Sequence, residues 1–145
     1  MFARSALVVA IVAAAAFISG AFAQEPNCAR NYTVVPGDTC DGIGAKTNTP
    51  TFQIETVNAN RIDAGCDNLF VGEPLCLGIV GQDCDITHVV QPGDNCDTIA
   101  QQAKTTRQIL LANNPNVNTA CTNINLGEVL CTANEIIVHS TASSA

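Results

Sequence analysis

The chain is poor in the side chains that many binding chemistries need. It has one tyrosine, no tryptophan, two histidines, and six lysines and arginines against thirteen aspartates and glutamates. So few cations form no basic patch to gather phosphates, which excludes nucleic acid as a partner and disfavours anionic membrane surfaces. A neutral polymer or an uncharged ligand remains compatible. Serine is missing from the middle of the chain, since every one lies at position 5, 19, 140, 143 or 144. A serine nucleophile is therefore excluded, and no acid sits in the apolar surroundings that would tune a carboxylate pair for glycoside hydrolysis. No C-x-x-C pair occurs, and His88 and His139 are the two histidines, so a metal centre has no ligand set. No catalytic residue, metal or cofactor is expected.

Long apolar runs are also scarce. The one present, "ALVVAIVAAAAFI" at 6–18, follows Arg4 and closes on Ala21-Phe22-Ala23, a small-x-small cleavage pattern. It is short for a membrane span and has no charged stop-transfer flank, so residues 1–23 read as a signal peptide rather than a retained anchor. The mature chain is expected to begin at Gln24 and to be secreted and soluble, with no membrane partner.

What the sequence does have is cysteine. All eight, at 28, 40, 66, 76, 84, 96, 121 and 131, lie beyond the leader, and in an oxidising compartment an even count reads as disulfides. Their spacing exposes a repeat. With an offset of about 55 residues, cysteines 28, 40, 66 and 76 fall on 84, 96, 121 and 131. Val34 meets Val90, Ile43 meets Ile99, Gln53-Ile54 meets Gln108-Ile109, Asn58 meets Asn113, and Gly72-Glu73 meets Gly127-Glu128. One extra residue in the first copy is placed near positions 49–51. The chain divides into modules at 28–77 and 84–132, a linker at 78–83 and a polar tail at 133–145. Each module keeps its own four cysteines, so bridges within modules are expected, with three pairings open in each.

Each copy reads as strand, helix, helix, strand. Residues 32–35 and 88–91 are short strands ended by a Pro-Gly turn. Asp38 and Asp94 stand where an N-cap would stand. A first helix follows, at 94–102 in the second copy. A second helix turns Ile54 and Val57, or Ile109 and Ala112, inward. Strands at 73–77 and 128–132 close the modules. The fold class is α+β: two small disulfide-stabilised βααβ units in tandem. Closing a loop of about 25 residues stabilises such a unit by roughly 3 kcal/mol in the chain-entropy model.

"YTVVPGDTCDGIG" with "VNANRIDAGCDNLFVGEPLCL", and "HVVQPGDNCDTIA" with "NNPNVNTACTNINLGEVLC", resemble the lysin-motif (LysM) module. That family runs Y-x-V-x-x-G-D-T, then I-A, then Asn-Pro, then L-x-x-G-x-x-L. The four-cysteine form in a secreted chain is similar to fungal LysM effectors and wall-binding lectins. The resemblance implies binding of N-acetylglucosamine polymers, chitin above all, in a shallow groove between two loops. In the first module these loops are Gly37-Asp38-Thr39 and Asn60-Arg61-Ile62. In the second they are Gly93-Asp94-Asn95 and Pro115-Asn116-Val117. Gly lets backbone groups approach a sugar, Thr and Asn donate and accept, and Ile62 or Val117 would pack on the acetamido methyl.

The copies depart from the pattern differently. The first has Asn58-Ala59-Asn60 for Asn-Pro and adds Arg61. The second has His88 for the initial Tyr and Asn95 for the Thr of Gly-Asp-Thr. Unequal sites follow, each weak alone, with avidity across a tethering linker and a possible ligand-induced dimer. Plainer roles stand beside these: turn service for Gly37 and Gly93, capping for Asp38 and Asp94, a solvated Arg61, and strand packing for Tyr32 and His88. A competing function is a cysteine-rich wall protein or an inhibitor that binds protein partners. Asn31-Tyr32-Thr33 is an N-glycosylation acceptor pattern.

Overall fold

The computed structural model describes residues 26–137, so the leader and the end of the polar tail lie outside the described residues. The first module comprises β1 (Cys28–Thr33), α1 (Cys40–Thr47), α2 (Thr51–Val57) and β2 (Pro74–Ile79). The second comprises β3 (Thr87–Val89), α3 (Cys96–Gln102), α4 (Arg107–Asn113) and β4 (Val129–Cys131). β1 pairs antiparallel with β2 and β3 with β4, because the helix pair carries the chain back between them. The α+β class and the βααβ order are those expected.

The bridges are Cys28–Cys76 and Cys40–Cys66 in the first module, and Cys84–Cys131 and Cys96–Cys121 in the second. Every pair lies within its module. The cores repeat as well. Val34, Cys40, Ile43, Ile54, Ile62 and Leu75 form one buried cluster, and Val90, Cys96, Ile99, Leu110, Val117 and Leu130 form its counterpart.

Three local expectations are corrected. Asp38 and Asp94 do not cap helices. Thr39 Oγ1 accepts from the Gly42 amide at 3.0 Å, and Asn95 Oδ1 accepts from the Asp97 and Thr98 amides at 3.0 Å. The cap must directly precede the first helical residue, and the helices begin at Cys40 and Cys96. The buried apolar position of α4 is Leu110, while Ile109 and Ala112 are half-buried, as is Val57 in α2. Leu110 lies four residues after the cap Thr106, as Ile54 lies four after Pro50, and their amides bond back to those carbonyls. The extra residue is not near 49–51 either. Asn58 Nδ2 donates to the Ile54 and Cys76 carbonyls, and its Oδ1 accepts from the Cys76 amide. Asn114 does the same with Leu110 and Cys131. Asn58 therefore corresponds to Asn114, and the longer copy gains its residue between Asn58 and Ile62.

The stretch 78–83 is not a free tether. Gly78 and Ile79 belong to β2, and the chain turns at once, with the Gln82 amide on the Ile79 carbonyl at 2.9 Å. Arg30 grips Asp83 through Nε and Nη2 at 2.7 and 2.6 Å and reaches the Thr47 carbonyl at 2.8 Å. Gln53 donates to the Leu77 carbonyl and to Asp83, and accepts the Cys84 amide. These bonds lay the second module onto the helices of the first. The Val129 amide, on the edge of β4, donates to Thr51 Oγ1 at 3.0 Å, and that hydroxyl donates to Asp41 at 2.7 Å. Gly44 is required first by the Thr49 carbonyl oxygen, which a Cβ there would overlap, and the same bare surface lets Val129 Cγ2 approach to 3.1 Å of that position. The tail from Ala133 is likewise held, by Asn113 bonding the Glu135 carbonyl and the Ile137 amide at 2.8 Å.

The buried carboxamides Asn58 and Asn114 each satisfy three backbone groups. Asn58→Ala should lower unfolding stability by about 2–3 kcal/mol, the cost of leaving buried groups unpaired. Denaturant titration checks this, and an unchanged midpoint would contradict that role.

Candidate functional site

In each module two loops are drawn to one rim. The Cys40–Cys66 bridge joins the residue after Thr39 to the turn beyond Ile62, with Cα atoms 6.0 Å apart. Ile62 packs in the same cluster as Val34 and Cys40. Cys96–Cys121 and Val117 repeat this arrangement with Val90 in the second module. In each module a bridge and a shared apolar cluster thus link the segment that carries the Pro-Gly-Asp turn to the loop after the second helix.

The first wall is a rigid turn. Gly37 and Gly93 take φ of +86° and +85°, a left-handed conformation that side chains resist. Asp38 Oδ2 accepts the Val35 amide at 2.9 Å and the Tyr32 hydroxyl at 2.8 Å, while Lys46 pairs with Oδ1 and lies 5.0 Å from the Tyr32 ring centre. In the second copy Asp94 Oδ2 accepts the Gln91 amide at 2.7 Å and meets His88 Nε2 at 2.6 Å. Tyr32 and His88 therefore do the same work: each fixes the aspartate that closes the turn. Neither aspartate is free to face a ligand. The exposed members of this wall are Gly37, Thr39, Gly93 and Asn95.

The second wall differs between copies. Asn60 is exposed, and half-buried Arg61 donates to the Pro74 carbonyl at 3.1 Å. Pro115 and Asn116 are exposed, and Asn116 Nδ2 donates to the buried Glu128 at 2.8 Å. Ile62 and Val117 are 4% and 7% exposed, and their amides bond the Asn58 and Asn114 carbonyls at 3.0 and 2.9 Å, so both residues belong to the cores rather than to an exposed surface. Two positioning residues escaped the sequence reading. Asn68 bonds the Arg61 carbonyl and the Asp63 amide, and Asn123 bonds the Asn116 carbonyl and the Asn118 amide. The signal that could have found them is Cys-x-Asn, repeated at 66–68 and 121–123.

The LysM domain pattern matches residues 32–78 and 88–132. The chain belongs to the LysM family. A secreted LysM effector of Pochonia chlamydosporia is 35% identical over 101 residues, spanning 70% of this chain and 14% of that protein. The Secreted LysM effector LysM1 of Trichophyton rubrum is 30% identical over 128 residues, spanning 72% of this chain and 50% of that one. A third relative, the Non-secreted LysM effector LCP1 of Gibberella moniliformis, is 28% identical over 113 residues, spanning 77% of this chain and 15% of that one. The chain thus spans half or less of the length of these relatives. Among solved structures, the Bacillus megaterium spore cortex-lytic enzyme SleL superposes with a TM-score of 0.37 at 20% identity, over 73% of this chain and 23% of that one. That likeness is too slight to carry an argument.

The turn aspartates make acid stability testable. Hydrogen bonds from His88 and the Gln91 amide hold the Asp94 carboxyl below its ordinary range. Burial opposes ionisation of Asp38, but Lys46, the Val35 amide and Tyr32 outweigh it, and its pKa is also lowered. A depressed folded pKa gives stability that is present above the ordinary value of about 3.9 and lost as pH falls through the folded value. Glu55, raised by burial and by Asp41 and Glu128, acts in the opposite sense. The double variant Asp38→Asn, Asp94→Asn should therefore lose less stability than the native chain between about pH 4 and pH 2. Urea midpoints across that interval decide it, and parallel losses would contradict the assignment.

Proposed function

We propose that this is a secreted, non-catalytic protein that binds polymers of N-acetylglucosamine, chitin and its oligomers, through one groove in each module. The observation that carries this reading is the doubled pair of walls, each stapled by a disulfide and lying within a LysM match. Exposed glycine backbone, Thr39, Asn60, Asn95 and Asn116 offer the donors and acceptors that hydroxyls and acetamido groups require. The excess of acids favours a neutral glycan over an anionic one. Carboxylates at the rim are spent on internal hydrogen bonds, which supports binding rather than hydrolysis. Four disulfides and the apolar leader support export. The copies differ in loop length and in residue, so the two sites bind unequally, and a polymer longer than one groove bridges two chains into a ligand-induced dimer.

Asn31 is exposed on β1 and lies in an acceptor pattern, and its glycosylation is part of the proposal. Glycosidase treatment of material from the native host should raise its gel mobility, and unchanged mobility would count against it. The function itself is tested by sedimentation with insoluble chitin, using albumin as control. The protein should pellet with chitin and be released by soluble chito-oligomers. Partition equal to that of albumin would overturn the proposal.

A further inference from the structure

Seven large apolar side chains are exposed among the described residues, and three of them, Val35, Phe70 and Val71, belong to one pair of turns. The Gly72 amide donates to the Val34 carbonyl at 2.8 Å, and the Val34 amide to the Glu73 carbonyl at 2.9 Å. The turn at 69–72 is thereby stitched to the segment that carries the Gly37 wall. Val35 is part of that wall's own turn, with its amide on Asp38 and its carbonyl accepting the Asp38 amide. On the other side, Asn68 ties the same stretch to Arg61 and Asp63, so it reaches both walls of the first groove.

The turn is also held still. Leu69 packs on the core, and Glu73, 3% exposed, has its amide on the Phe70 carbonyl at 3.1 Å. Phe70 and Val71 project outward from this anchored turn, 51% and 61% exposed. Single exposed apolar residues need no explanation, but three of them on one hydrogen-bonded pair of turns, one of them aromatic, do. The second module keeps the same bonds, Gly127 to Val90 and Asn123 to Asn116 and Asn118, yet carries Gln91, Asn125 and Leu126 at these positions. The cluster is thus a property of the first module alone.

The geometry points to Phe70, flanked by Val35 and Val71, as a platform that extends the first groove by stacking on the C–H face of a further pyranose ring of the same glycan. This rests on the reading of the groove as a glycan site. A pyranose presents axial C–H bonds on its faces, and an aromatic ring offers them a flat apolar surface without competing for the hydroxyls. The platform makes the first module the tighter site for long oligomers, whereas the second relies on its two walls.

Calorimetry on the intact mature chain with N-acetylglucosamine oligomers from the dimer to the hexamer tests it. Phe70→Ser should weaken hexamer binding about tenfold, with a loss that grows with oligomer length. Phe70→Tyr should restore most of the affinity, and Ile136→Ser, exposed elsewhere, should leave it unchanged. Circular dichroism confirms that each variant is folded. Native affinity for the hexamer in Phe70→Ser would overturn the platform while leaving the groove standing. A native chain that binds no oligomer of any length would overturn the groove reading and the platform with it. If Phe70→Ser instead abolishes self-association of the unliganded chain in sedimentation and keeps hexamer affinity, the patch is a protein contact and the inference fails.

Discussion

Everything in this protein leans on the bridge from the start of the first helix to the loop after the second, Cys40–Cys66 and its copy Cys96–Cys121. A unit of this size buries one small cluster of apolar side chains, too little to hold two loops in register without covalent help. The bridge shortens the unfolded chain's freedom and fixes the positions of the walls at the same time. Stability and the placement of the two loops are therefore one constraint. The second bridge of each module fastens β1 to β2 through Cys28–Cys76, or the stretch before β3 to β4 through Cys84–Cys131, and leaves the rim to the first.

The two modules are joined in one direction. Thr51 receives the Val129 amide, but the groups that would repeat this contact at the other ends are changed. Pro74 stands where Val129 stands, following Glu73 as Val129 follows Glu128, and proline has no amide to donate. Arg107 stands where Thr51 stands and pairs with Asp97 at 2.8 Å, as Thr51 pairs with Asp41. The Arg30–Asp83 clamp adds a charged hold on the linker, with burial working against it and the bidentate pairing raising the Arg30 pKa and lowering that of Asp83. The two modules are consequently held at a fixed spacing rather than on a tether, so under the proposed reading avidity depends on where a ligand's length places its second contact.

Much of this was legible in the residues. The doubled cysteine spacing announced two modules with internal bridges, and the Pro-Gly-Asp stretches marked the turn that ends the first strand segment of each. What escaped has physical causes. Asp38-Thr39 and Asp94-Asn95 put two good capping residues side by side, and residue preference alone does not choose between them. "NANR" and "NNPN" offer several asparagines to align, and the buried one is recognised by its three backbone bonds. Ile62 and Val117 have the composition of a sugar contact and the burial of a core residue. The Arg30–Asp83 pair spans 53 positions, and nothing local in "GIVGQD" reveals it.

If ligand occupies the rim between the two stapled loops of each module, the backbone amides of those loops must respond to it. Amide shift mapping of the isotopically labelled mature chain, titrated with an N-acetylglucosamine tetramer, reads this directly. The largest changes are expected at 37–39, 60–62 and 69–72, with a second set at 93–95 and 115–117 saturating at a different concentration. Changes centred on the exposed residues of β1 or on the outer faces of α3 and α4, with the rims unmoved, would place the ligand elsewhere and contradict the groove.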